Sequence, residues 1–173
     1  MTVLNYMNAL EKIDFISSWI GNYAKSHNFS SLVIGISGGI DSAVTSTLCA
    51  KTGINTFVVS MPILDHKVLN NRGSNHIKWL KDNFNNIENI DANLSGVFKS
   101  FQDILNNNNS EHGFANSQAR LRMTTLYQIA ASNHGIVVGT GNKVEDFGIG
   151  FYTKYGDGGV DISPIADLTK TDV

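Results

Sequence analysis

The sequence predicts an α/β fold: a doubly wound parallel sheet with helices on both faces. Short continuous apolar runs alternate with amphipathic segments, which is the order of βαβ units. Leu32-Val33-Ile34-Gly35-Ile36 and Ile136-Val137-Val138-Gly139 are unbroken apolar runs. Strands read this way when helices cover both of their faces. Glycine-rich segments follow both strands, where open α/β sheets bind their ligands.

The elements follow in order. Leu10, Ile13, Ile16, Ile20, Tyr23 and Ala24 fall at helical spacing along one apolar stripe. After the first strand, Gly38-Gly39 breaks the chain, and a helix opens near Asp41 and runs to about Lys51. Ile54 to Met61 is the second strand, closed by Pro62. A helix is expected from about Gly73 to Asn83, then a weaker strand from Ile87 to Asp91. Leu94, Val97, Phe98, Phe101, Ile104 and Leu105 mark another amphipathic helix, ended by the Asn run and Gly113. Asn116 to Asn133 is the next helix, with Leu121, Leu126, Ile129 and Ala130 toward the core. From Thr140 onward the chain reads mostly as loop, and this loop is expected at the site.

Composition narrows the function. A chain of 173 residues with 42% hydrophobic content suits one domain with a real core. A net charge of −2 argues against a broad nucleic-acid-binding face. No apolar run nears the roughly 18 residues of a membrane span. The first ten residues lack the basic-then-apolar pattern of an export signal, so a cytoplasmic protein is expected. The single cysteine, Cys49, excludes an internal disulfide and is expected as a buried helix residue. The five histidines show no ligand spacing, so no zinc site is expected. Asparagine occurs twenty times, and Asn106 to Asn109 reads as a solvated loop.

Ser37-Gly38-Gly39-Ile40-Asp41-Ser42 leaves a strand and opens a helix. Two glycines let the backbone turn tightly and approach a ligand. The free N–H groups of the helix start favour an anion there, and Ser37 and Ser42 add hydroxyls. Phosphate or pyrophosphate is the expected guest. The segment lacks the lysine of a Walker A loop, and its glycines miss the G-x-G-x-x-G spacing. Gly35-Ile36-Ser37-Gly38-Gly39 does fit G-x-S-x-G, the nucleophile elbow of serine hydrolases. That reading needs a histidine on a loop after the last strand, and the last one, His134, precedes it. Asp41 would repel a phosphate by itself; it makes sense as a ligand of Mg²⁺ that bridges to phosphate oxygens.

S-G-G-x-D-S resembles the signature of the pyrophosphatase-loop ATP enzymes. Further on stand Gly139-Thr-Gly-Asn-Lys-Val-Glu145, Phe151-Tyr-Thr-Lys-Tyr-Gly-Asp-Gly-Gly-Val-Asp161 and Ile162-Ser-Pro-Ile-Ala-Asp-Leu-Thr-Lys170. Together these resemble the NAD synthetase family, in its small ammonia-dependent form. The resemblance covers roughly Leu32 to Val173 and implies an adenine nucleotide alpha hydrolase-like, Rossmann-like fold. It implies that ATP adenylates the nicotinate carboxylate of deamido-NAD and that ammonia then displaces AMP, giving NAD.

The resemblance also implies roles. Asp41 and Glu145 match Mg²⁺ carboxylates. Ser37, Gly38, Gly39, Ile40, Asp41, Ser42, Ala43 and Val44 match the pyrophosphate cradle. Thr140 and Lys170 match ATP contacts, and Asp41, Glu145 and Lys170 form the implied catalytic set. Arg120, Lys154 and Asp161 match deamido-NAD contacts; Arg122 lies close enough to Arg120 that the two are not separated. Ser60 and Met61 are expected near adenine. A homodimer is implied, with deamido-NAD across the interface. The Asn116–Asn133 helix is a candidate interface element through the apolar surface of Met123, Leu126 and Tyr127. About 30 residues precede the first strand, too few for an amidase domain, so free ammonia or a separate donor subunit is expected. The family continues past the Lys170 motif, so residues 1–173 are expected to be one ATP-pyrophosphatase domain lacking its C-terminal part. The competing expectation is a nucleotide-binding module of the same fold without activity.

Overall fold

A computed structural model describes residues 3–63, 67–105 and 108–173. Asn106 and Asn107 of the expected solvated run lie outside the described residues. After a 3-10 turn at Val3–Tyr6 come α1 (Ala9–Ser26), β1 (Ser31–Gly35), α2 (Ile40–Lys51), β2 (Asn55–Ser60) and α3 (Lys67–Asn83). Then follow β3 (Ile87–Asp91), α4 (Ser95–Ile104), α5 (Glu111–Ser132), β4 (Gly135–Val137) and a π-helical turn at Lys143–Ile149.

The four strands pair in the order β3-β2-β1-β4, all parallel. The chain moves outward from β1 to β3, then returns to the other side of β1. The turnabout between β1 and β4 opens a crevice at their carboxyl ends, where ligands of such sheets sit. Val138 bridges Ile162 in parallel, which draws the late segment alongside β4.

The period-two geometry of β1 explains the two-sided wrapping. Leu32 and Ile34 point into a core with Ile20 of α1, Leu48 and Cys49 of α2 and Leu80 of α3. Val33, between them, joins Val59 and Val137 against Phe98 of α4 and Met123, Leu126 and Ala130 of α5. Each fully buried aliphatic side chain contributes about 1.5–3 kcal/mol by leaving water. At the N-terminal end of α1, Asn8 accepts from the Glu11 N–H, and the Glu11 carboxylate accepts from the Asn8 N–H, at 3.0 and 2.8 Å. Both groups are orphan donors at a helix start, now satisfied. Lys12 of α1 pairs with Asp172 at 2.5 Å and ties the helix to the far end of the chain.

Two helix boundaries move. α3 begins at Lys67, not near Gly73, because Gly73 lies inside the helix, packed against Ile36 and Gly38. α5 begins at Glu111, not Asn116, because the Ser110 hydroxyl accepts from the Gly113 N–H at 3.2 Å and caps the helix. Gly113 therefore sits in the first turn instead of ending the previous helix. The apolar surface expected on this helix also changes. Met123 and Leu126 face the sheet as core, and Tyr127 stays exposed.

Cys49 is fully buried, and desolvation pushes its thiol up to about 12. A buried neutral thiol is a poor nucleophile. The native protein is expected to leave a thiol reagent unconsumed at pH 8 and to consume one equivalent once unfolded. Rapid labelling of the native state would refute this.

Candidate active site

The crevice is built from the ends of β1, β2 and β4. A cleft of about 320 Å³ opens there, lined among others by Ser37, Ser60, Met61, Arg122, Thr140 and Asp157. Gly38, with φ of 81°, turns the chain sharply out of β1 in a conformation that a side chain would strain. The Ser37 hydroxyl accepts from the Gly39 N–H at 3.2 Å and donates to the Ser42 hydroxyl at 3.1 Å. Ser42 donates on to the Gly39 carbonyl at 2.9 Å. The hydroxyls thus hold the turn in shape at the start of α2, with Asp41 in its first turn. Among the described residues no imidazole bonds to Ser37, and its hydroxyl serves the turn instead of a hydrolytic triad.

Lys170 joins the two expected carboxylates. Its Nζ lies 2.5 Å from Asp41 Oδ2 and 2.9 Å from Glu145 Oε1. These hydrogen bonds, that to Asp41 first, hold the Lys170 ammonium above the usual lysine range. Sequence reasoning missed the residue that binds the pair into one unit. Asn142 is fully buried; its Nδ2 donates to Asp41 Oδ1 at 3.1 Å. Its Oδ1 accepts from the N–H groups of Val144 and Glu145 at 3.0 and 3.1 Å. One side chain therefore caps the π-helical turn that carries Glu145 and holds Asp41 in orientation. Gly141 leaves room beside it for the Asp146 carboxylate, which a Cβ there would displace. Burial, with the charges of Asp157, Glu145 and Asp41, pushes the Asp146 carboxyl above its ordinary range. Asn142→Ala leaves buried partners unpaired. It is expected to cost about 1–3 kcal/mol in denaturant unfolding. An unchanged unfolding midpoint would refute the role.

The structure separates the two arginines. Arg122 lines the cleft, and its Nε donates to the Met61 carbonyl at 3.2 Å. Burial lowers its guanidinium below the ordinary arginine value. Arg120 lies outside that cleft and donates to the Lys154 carbonyl at 3.0 Å. Asp161 is engaged structurally: it accepts from the Val137 N–H at 2.7 Å and from the Tyr127 hydroxyl at 3.0 Å. Burial, then this bond and the Asp161 charge, push the Tyr127 phenol up to about 12. Lys154 reaches over the Tyr155 ring, 5.1 Å from its centroid, and Tyr155 itself has φ of 62°. Arg120, Lys154 and Asp161 thus cluster around α5 and the 151–161 loop, beside a second hollow lined by Tyr127, Tyr155 and Val160. Met123 and Val160 line both hollows.

A model of the NAD synthase family matches residues 12–173. The chain belongs to that family. It shares 38% identity over 173 residues with the NH(3)-dependent NAD(+) synthetase of Mesoplasma florum, covering 96% of this chain and 68% of that protein. With the protein of the same name from Saccharolobus solfataricus it shares 39% over 167 residues, covering 92% and 56%. The NAD synthase fold is equally close in three dimensions. A structure of NMN synthetase from Francisella tularensis superposes with a TM-score of 0.88 at 30% identity, covering 96% of this chain and 68% of that one. An NH3-dependent NAD synthetase from Campylobacter jejuni gives 0.87 at 28%, covering 96% and 70%. The sheet is thus of the Rossmann-like, adenine nucleotide alpha hydrolase type.

Proposed function

We propose that the chain carries the activity of an ammonia-dependent NAD synthetase. In this reading the nicotinate carboxylate of deamido-NAD attacks the α-phosphorus of ATP. The bond from that phosphorus to the bridging oxygen breaks, pyrophosphate leaves, and an acyl-adenylate forms. Ammonia then adds to the acyl carbon, AMP departs, and the amide of NAD remains. A carboxylate is a poor electrophile because its charge repels nucleophiles; the adenylate removes that charge and supplies a stable leaving group.

The observation that carries this reading is the junction of Asp41, Glu145 and Lys170 at the first turn of α2. A cation already fits between the two carboxylates, so hard oxygen ligands converge on one point at cation spacing. Among the described residues no third carboxylate, histidine or cysteine joins them as a metal group. That donor set suits Mg²⁺, which takes one or two carboxylates and completes its shell with phosphate oxygens and water. Asp41 and Glu145 would hold it, and it would supply charge neutralisation for the leaving pyrophosphate. The Ser37–Val44 turn would seat that pyrophosphate on backbone N–H groups. Ser60, Met61 and Thr140 would line the nucleotide pocket, and Lys170 would turn from the carboxylates to phosphate.

Arg120, Lys154 and Asp161 stand in the same proposal as the deamido-NAD side, with Arg122 on the cleft side. Exposed Phe147, Ile149 and Phe151 offer an apolar surface for a homodimer. Ammonia as the nitrogen source rests on the names of relatives at 35–39% identity. A cytoplasmic location belongs to the same reading; among the described residues no helix is long and apolar enough to cross a membrane.

The test is AMP release from ATP, Mg²⁺, ammonia and deamido-NAD, run beside nicotinate mononucleotide. The NMN synthetase neighbour makes that second acceptor a specific alternative. AMP formation with deamido-NAD is expected. Preference for the mononucleotide would move the acceptor assignment, and no AMP with either would refute the ligase reading.

A further inference from the structure

Another hollow, of about 270 Å³, opens between the phosphate turn and α3, lined by Gly38, Gly39, Ser42, Arg72 and His76 among others. Among the described residues no carboxylate lines it. Two contacts bring α3 this close. Gly73 lies against the loop, so that a Cβ there would stand 3.7 Å from the Gly38 nitrogen. His76 Nε2 lies 2.8 Å from the Ser46 hydroxyl of α2. The Ser46 hydroxyl also reaches the Ala43 carbonyl at 3.1 Å. His76 is thereby committed to fastening α3 onto α2. Arg72 stands four residues earlier, one turn back on the same face. It is exposed, and among the described residues no hydrogen bond or ion pair holds it.

We propose that Arg72 binds the terminal phosphates of ATP and the pyrophosphate they become. The proposal rests on the ligase reading and extends its phosphate turn by a residue on a separate element. The turn offers backbone N–H groups and two hydroxyls, all neutral. Lys170 stands with the two carboxylates, whose charges offset its own until it turns to phosphate. Cleavage between the α- and β-phosphates raises the charge on the departing group. A guanidinium facing the turn from α3 meets that charge with a planar fork matched to phosphate oxygens. The gain is greatest after bond breaking, so Arg72 favours the leaving group over intact ATP.

The test is calorimetric titration of inorganic pyrophosphate into the protein and its Arg72→Ala and Arg72→Lys variants, with AMP as the control ligand. Arg72→Ala is expected to bind pyrophosphate about tenfold more weakly, Arg72→Lys to fall between, and AMP to bind all three alike. Pyrophosphate inhibition of AMP formation is expected to weaken in parallel. Equal pyrophosphate binding by wild type and Arg72→Ala would overturn the proposal, as would an equal loss of AMP binding. Failure of the wild type to form AMP would refute the ligase reading alone, because the titration judges Arg72 without turnover.

Discussion

Asp41→Asn and Glu145→Gln are each expected to lower AMP formation by about 10²–10³-fold with the fold intact. Both substitutions preserve volume and remove a negative charge from the point where the carboxylates meet Lys170. The transition state for adenylation gathers charge on the pyrophosphate, and preorganised neutralisation is what the site supplies. Asp41 has a further tie, because its Oδ1 accepts from Asn142. The loss is therefore expected to be the larger for Asp41→Asn, whose new amide keeps the Asn142 bond only by turning its NH2 toward the Lys170 ammonium. Steady-state rates at saturating ATP, beside thermal unfolding curves, check this. Near-normal rates in both variants would remove the metal assignment.

Lys170→Met separates two roles that one residue plays in sequence. Its ammonium occupies the space between Asp41 and Glu145, where a divalent cation would compete with it. Without the lysine, direct Mn²⁺ binding, read by electron paramagnetic resonance in the absence of nucleotide, is expected to tighten by about tenfold. The carboxylates lose a competing cation at hydrogen-bond distance, and partial exposure limits the Coulomb gain to about that size. AMP formation is expected to fall in the same variant, because the positive charge is no longer there for phosphate. Unchanged or weaker Mn²⁺ binding would show that the ion pair does not compete with the metal.

Much of this fold was legible because its strands are covered on both faces. Leu32 to Ile36 read as a strand without any alternation, and the structure explains why: Leu32 and Val33 bury themselves on opposite sides. The start of α5 was hidden by its composition. Glu111 to Asn116 carries His, Gly and Asn, weak helix formers, and only the Ser110 cap shows where the helix begins. The Asp41, Glu145 and Lys170 grouping was reached through resemblance and then found in space. Asn142 could not be reached that way, since one asparagine among twenty carries no mark of its burial or of its three bonds. Arg120 and Arg122 were inseparable for a geometric reason. Two positions on a helix differ by about 200° in direction, so one of them faces the cleft only once the orientation of α5 is known.

The pairing of β1 has a kinetic consequence. β1 meets β2 after a single helical crossover, but its other edge waits for β4, which arrives only after α3, β3, α4 and α5 have been threaded. Loop closure of that span is unfavourable until the native contacts form. One wall of the crevice is therefore completed late, and the phosphate turn borders an open sheet edge until then. In refolding followed by pulsed hydrogen exchange, the amide of Val138, which donates to the Val33 carbonyl of β1, is expected to gain protection after those of Val58 and Val59. The site would thus be the last part of the molecule to be finished.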